Sequence, residues 1–177
     1  DSFEDSEIGP IPKNWGYIYL KDSILSIKDR QKEKKLDEFS ATISGIEPRD
    51  QKFKKKLSKS SANNRIAIEG DLVFGLSRKV LNFGRMNYPI GGFSSVYEVF
   101  RSKSDENIST QIIEKYIRLR MPLFMDILKP AAREGQSIDR IVLLEKKIPK
   151  FPSKLINYFQ SKINTFNSKL LINQKQI

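Results

Sequence analysis

The sequence predicts a mixed α/β (α+β) domain over residues 1–150, followed by a long C-terminal coiled-coil helix over residues 151–177. Three observations predict it. Short apolar runs broken by glycine fill residues 65–100, a 3.6-residue apolar period begins near residue 108, and a heptad-like stripe starts after Pro152. A chain of 177 residues fits one core with an appendage better than two full domains.

The opening residues 1–8 are acidic and read as loose, and Gly9-Pro-Ile-Pro12 reads as an extended entrance. An opening at Asp1 is expected of a fragment or a processed chain. Trp15-Gly-Tyr-Ile-Tyr-Leu20 reads as a first strand, with Trp15 as a core plug. Polarity then rises: between Lys28 and Lys59 there are eleven basic and six acidic residues, a local balance of +5. Arg65–Glu69 begins a second strand system, and Glu69-Gly-Asp71 reads as a tight turn feeding the strand Leu72-Val-Phe74. Gly91-Gly92 precedes a strand expected over Phe93–Phe100, apolar on both faces and therefore buried.

From Ile108 to Arg120 the positions Ile112, Ile113, Tyr116, Ile117 and Leu119 give a helical face. Pro122 opens a further short helix with a boundary near Pro130, and 133–138 is a polar turn leading into Arg140–Leu144, read as a strand. After Phe151-Pro152, Ile156, Phe159, Ile163, Phe166 and Leu170 are spaced 3, 4, 3, 4, and Asn173 and Ile177 continue the series. That spacing predicts packing against another long helix, with Asn173 helping to choose register.

Charge and missing residue types bound the chemistry. The formal net charge is +11, carried by Lys and Arg alone, which points to a polyanion, an acidic membrane surface or an acidic protein partner. The absence of His and Cys excludes His-containing triads, zinc fingers, HExxH sites, thiolate chemistry and disulfides. No apolar run nears the roughly 20 residues that span a bilayer, and no leader-like segment opens the chain, so an intracellular, cytoplasmic protein is expected.

The glycines have neither dinucleotide-fingerprint nor phosphate-loop spacing. Asn87-Tyr-Pro-Ile90 has the wrong residue order for the Asn-Pro-Pro-Tyr motif of amino-group methyltransferases. Glu145-Lys-Lys147 with Asp139 has the residue types of a metal-dependent nuclease, two carboxylates and a lysine, but the three-residue signal is common in charged chains. The residues therefore read as a binding surface without catalysis and without a cofactor. Lys52, Lys54, Lys55, Lys56 and Lys59 suit contact with a phosphate backbone, as do Ser77 and Lys79. Arg78, Asn82, Arg85 and Gln136 suit base edges, because their side chains can form paired, selective hydrogen bonds. A non-catalytic protein-interaction module whose basic face meets an acidic protein is the alternative, and a nuclease ranks third.

Taken in order, Asp5-Ser-Glu-Ile-Gly-Pro-Ile-Pro-Lys-Asn-Trp15, Gly70-Asp-Leu-Val-Phe74, Ser94-Ser-Val-Tyr97 and Gly135-Gln-Ser-Ile138, with a Pro-containing helix entrance after them, resemble a target recognition domain of a type I restriction-modification specificity subunit. The resemblance covers nearly the whole chain. Phe151-Pro-Ser-Lys154 departs from the Pro-Pro and Glu-Gln usual at that entrance. The resemblance implies one recognition domain plus one conserved helix: a half-length subunit that pairs with itself or with a second specificity half through the helix, or a fragment of a longer subunit. It further implies sequence-specific binding of double-stranded DNA. Methyltransferase (modification) subunits and a restriction subunit would carry the covalent chemistry.

Overall fold

The computed structural model describes residues 2–49, 61–103, 109–130 and 136–174, with the backbone alone at 130, 136, 160, 164 and 166–174. In chain order the elements are β1 (Phe3–Glu4), β2 (Ile11–Pro12), β3 (Tyr17–Tyr19), α1 (Leu20–Ser23), β4 (Ile24–Ile27), β5 (Phe39–Thr42), β6 (Gly45–Pro48), β7 (Arg65–Ile68), β8 (Leu72–Phe74), β9 (Phe83–Arg85), β10 (Ile90–Phe93) and β11 (Glu98–Ser102). There follow α2 (Thr110–Leu119), a 3-10 helix (Met121–Ile127), β12 (Leu128–Pro130), β13 (Gln136–Ile138), α3 (Arg140–Leu144), β14 (Lys147–Pro149) and α4 (Ser153–Gln174). They form two compact units, residues Tyr19–Ile148 and residues Asp1–Ile18 with Pro149–Ile177.

The larger unit is built on an antiparallel sheet of order β4-β11-β8-β9, to which the ribbons β7–β10 and β5–β6 are added. Val99 sits opposite both Ile27 and Val73, so the central strand buries its apolar side chains against two neighbours. One core cluster joins Ile27, Phe39, Ala41, Ala67, Val73, Met86, Phe93 and Val99. Another aromatic set stacks Phe74 on Phe83 at 5.1 Å and sets Phe74 edge-on to Phe100 at 5.8 Å. Of the α2 face read from the 3.6-residue period, Ile113 and Ile117 are fully buried and Ile112 and Tyr116 half-buried, whereas Leu119 is 81% exposed.

Three local expectations are corrected. Gly91 and Gly92 lie inside β10 rather than before a strand, and a turn over 94–97 separates β10 from β11. Glycine is favoured at 91 because a Cβ there would overlap the Phe39 ring, while one on Gly92 would displace the end of the Gln31 side chain. Arg140–Leu144 is a helix: Asp139 caps it, its carboxylate accepting the Ile141 and Val142 amides at 2.9 and 3.2 Å. Strands β5 and β6 occupy a stretch that reads only as charged.

In the smaller unit β1 and β2 form a hairpin in which Phe3 faces Pro12. Trp15 is half-buried and meets Phe151 edge-on at 5.6 Å. The expected coiled coil is absent. The C-terminal segment forms the single helix α4, and its unit holds no second helix among the described residues. The helices of the larger unit are short, α2 being the longest at 10 residues. Of the apolar series, Ile156 is buried, Ile163 is half-buried and Phe159 is 50% exposed. The 3, 4 spacing marks the side of one helix here, and among the described residues the fold is mixed α/β with no second long helix beside α4.

Candidate nucleic-acid interface

The β8–β9 hairpin carries a hydrogen-bonded loop with two exposed cations, Arg78 and Lys79. It begins at the Gly70 turn, where a φ of +92° suits glycine. Asp71 is buried there, accepts the Ile68 amide at 2.9 Å and receives Arg101 through two bonds of 2.8 and 2.9 Å. Thr110 at the start of α2 donates to the Gly70 carbonyl at 2.5 Å, tying helix to turn.

The loop over 75–82 closes on itself. The Gly75 amide donates to the Asn82 carbonyl at 2.8 Å, the Asn82 amide donates to Ser77 Oγ at 2.9 Å, and Asn82 Nδ2 donates to the Leu76 carbonyl at 2.7 Å. Ser77 Oγ donates in turn to the Gly75 carbonyl at 3.3 Å. Leu81 is fully buried and plugs the loop from below. Gly75 lies under the Tyr97 ring, which a Cβ would meet at 3.0 Å. Burial pushes the Tyr97 hydroxyl above its ordinary ionisation range, and a hydrogen bond with Ser40 and the Arg49 charge oppose that shift.

This geometry separates the residues expected to contact a ligand. Arg78 and Lys79 are exposed at the loop tip beside Val80. Ser77 is fully buried and its hydroxyl both donates and accepts within the loop, so it shapes the loop instead of meeting a phosphate. The Asn82 amide nitrogen is likewise committed to the loop backbone. Arg85 lies half-buried over Gly70 and donates to Asn87 Oδ1 at 3.3 Å. Gln136 lies in β13 opposite Pro130, in a different ribbon. Lys52, Lys54, Lys55, Lys56 and Lys59 lie outside the described residues, as does Ile177; for Phe166, Leu170 and Asn173 only the helical backbone is described.

Arg118 is a residue that sequence reasoning missed. Its Nη1 donates to the Ile43 carbonyl at 2.9 Å, its Nη2 to the Phe83 carbonyl at 3.0 Å, and Nε and Nη2 reach Glu114 Oε1 at 3.1 and 2.9 Å. The guanidinium carbon sits 4.6 Å from the centroid of the Phe83 ring. The readable signal was the i,i+4 spacing of Glu114 and Arg118 on a helix.

The nuclease residue set is not assembled. Asp139 caps α3, Glu145 pairs with Lys21 at 3.0 Å, and the Lys147 ammonium lies 5.6 Å from the Tyr19 ring centroid. Among the described residues no group of three or more His, Cys, Asp or Glu could hold a metal ion, and no helix is long and apolar enough to cross a membrane.

No protein-family model and no curated protein matches the chain. Its fold is similar to that of a chain in a solved structure described as the structural basis of complex assembly and conformational transition of the type I R-M system. The TM-score is 0.56 at 13% identity, over 93% of this chain. The likeness is one of fold, and this chain spans 41% of the length of the solved one.

Proposed function

We propose that the chain recognises double-stranded DNA in a sequence-specific way, as a specificity component of a type I restriction-modification assembly, and that it catalyses nothing itself. The observation that carries this reading is the 75–82 loop: a frame locked by its own hydrogen bonds that holds Arg78 and Lys79 at an exposed tip. Pre-ordering the backbone that carries the two cations lowers the entropy lost when they meet an anion. Arginine suits a guanine edge, which takes two parallel hydrogen bonds, while lysine suits a phosphate as a point charge. The likeness of fold to a chain of the type I R-M system supports the same reading, as does the net charge of +11. In such an assembly modification and restriction subunits would supply methyl transfer and cleavage, while this chain supplies placement.

The test is selection of bound sequences from a random duplex library by the full chain at near-physiological salt. A short fixed half-site should emerge. A selected pool indistinguishable from the input, with the protein folded and modification subunits added, would refute the proposal.

A further inference from the structure

One guanidinium joins β9 to the turn between β5 and β6. β9 is the last strand of its sheet, and its Phe83 carbonyl is met by Arg118 Nη2 instead of by another strand. The other arm of the same fork takes the carbonyl of Ile43, in the turn between β5 and β6. Under the fork the backbones touch: a Cβ on Gly84 would lie 2.8 Å from Gly45 Cα. Glu114, one helical turn before Arg118, fixes the direction of the guanidinium. Beyond these contacts both elements reach the surface, at Ile43 and Ser44 on one side and at Arg78, Lys79 and Val80 on the other.

We propose that Arg118 is a positioning residue for specificity. It sets the spacing between the Ile43–Gly45 turn and the root of the 75–82 loop, so that both turns meet one duplex in a single register. The inference rests on the reading of the chain as a duplex-recognition domain. Arg118 touches no base in this scheme; it acts through the two carbonyls. A lysine cannot replace it, because one ammonium on a flexible stem lacks the planar fork that serves two separated carbonyls and a carboxylate together.

The experiment compares the full-length wild type with Arg118→Lys and Arg118→Gln by two readouts. Hydrogen exchange in the free proteins should show residues 43–46 and 75–83 opening together, faster by about tenfold in both variants. Binding to the selected half-site and to an unrelated duplex should show the affinity ratio falling by about tenfold, near the lower end of what loss of one base-edge contact causes. The unrelated-duplex affinity and its salt slope should stay unchanged for Arg118→Lys. A purely structural role would lower the folded fraction and leave the ratio intact. Full recovery of the ratio in Arg118→Lys would reduce the role to charge, and either result overturns the proposal. Should both variants fail to fold, Glu114→Gln, which keeps the arginine but removes its guide, should lower the ratio to a smaller extent, and an unchanged ratio there overturns it equally. A wild type that prefers no duplex sequence removes the DNA reading and this inference with it, whereas a discriminating wild type with unaffected variants removes the inference alone.

Discussion

Gly84→Ala tests the packing that locates the candidate loop. A methyl group there would lie 2.8 Å from Gly45 Cα and 3.0 Å from both Gly45 C and Ile46 N. All three neighbours are backbone, so no side chain can rotate away. Ordinary carbon contacts lie at about 3.5 Å or beyond, so β9 and the β5–β6 hairpin must part by about 0.7 Å. The Arg118 fork spans the same gap, with bonds of 2.9 Å to Ile43 and 3.0 Å to Phe83. Parting by that much carries one of them to about 3.6 Å, beyond a useful hydrogen bond. Overpacking of this kind costs about 1–3 kcal/mol and the lost bond about 1 kcal/mol, so the expected loss of stability is about 2–4 kcal/mol. Urea unfolding with an unchanged slope would measure it. Gly16→Ala is the control, because no atom lies within 4 Å of a Cβ there and only the φ of +62° opposes the substitution; it should cost about 1–2 kcal/mol. A Gly84→Ala cost below that of Gly16→Ala would refute the close-approach argument.

Asp71→Ala leaves the Ile68 amide and Arg101 without their shared acceptor. Because Arg101 is 35% exposed, the penalty for breaking a buried pair is discounted to about 2–4 kcal/mol, measurable by thermal unfolding; a change under about 1 kcal/mol contradicts the assigned role. The Asp139 carboxyl is held below its ordinary value of 3.8 by the Val142 amide first, then by the Ile141 amide and Lys129. A depressed folded value means that the cap's contribution is present at neutral pH and is lost as pH falls through that value, so the gap in urea midpoint between wild type and Asp139→Asn should close below about pH 4. A gap that does not narrow at all as pH falls below about 4 would refute the linkage. Arg78→Ala should cost roughly 1–3 kcal/mol on the selected site and little elsewhere, whereas Lys79→Ala should weaken both duplex classes and reduce the salt slope by about one; equal effects of the two in titrations against salt would dissolve the distinction.

The parts of the fold legible in the sequence are those whose signal is local. The Gly70-Asp71 turn and the apolar run Leu72-Val-Phe74 announce a strand, and the spacing of Ile113 and Ile117 announces α2 because one face of a helix repeats within a few residues. The strands β5 and β6 were hidden for the opposite reason. Phe39 is buried against Phe93 and the flat backbone of Gly91, some fifty residues away, and nothing in the charged stretch around it shows that partner. Arg140–Leu144 differs from its reading as a strand because a four-residue apolar run has no resolvable period; its one usable signal was Asp139 in the cap position. The 3, 4 spacing after Pro152 correctly announces a helix but carries no information about whether a second helix exists to receive it.

The candidate site divides along a physical line that composition does not draw. Ser77, Arg78, Lys79 and Asn82 are all polar, and all four suit contact with a ligand when read as residue types. A tight loop, however, has backbone amides and carbonyls of its own that strand pairing does not serve, and the nearest side chain able to reach them takes them. Serine and asparagine have short side chains that stay close to the backbone, so Ser77 and Asn82 close on Gly75, Leu76 and each other across the loop. Arginine and lysine carry their charge at the end of a longer stem, and at a loop tip that stem takes the charge outward into solvent. In a loop of this length, therefore, short polar residues at the two ends build the frame and long cations between them are left to meet the ligand. On the proposed DNA-recognition reading, in which Arg78 discriminates, Ser77 and Asn82 are the supports of its loop, and damage to them should lower selectivity without removing a ligand contact.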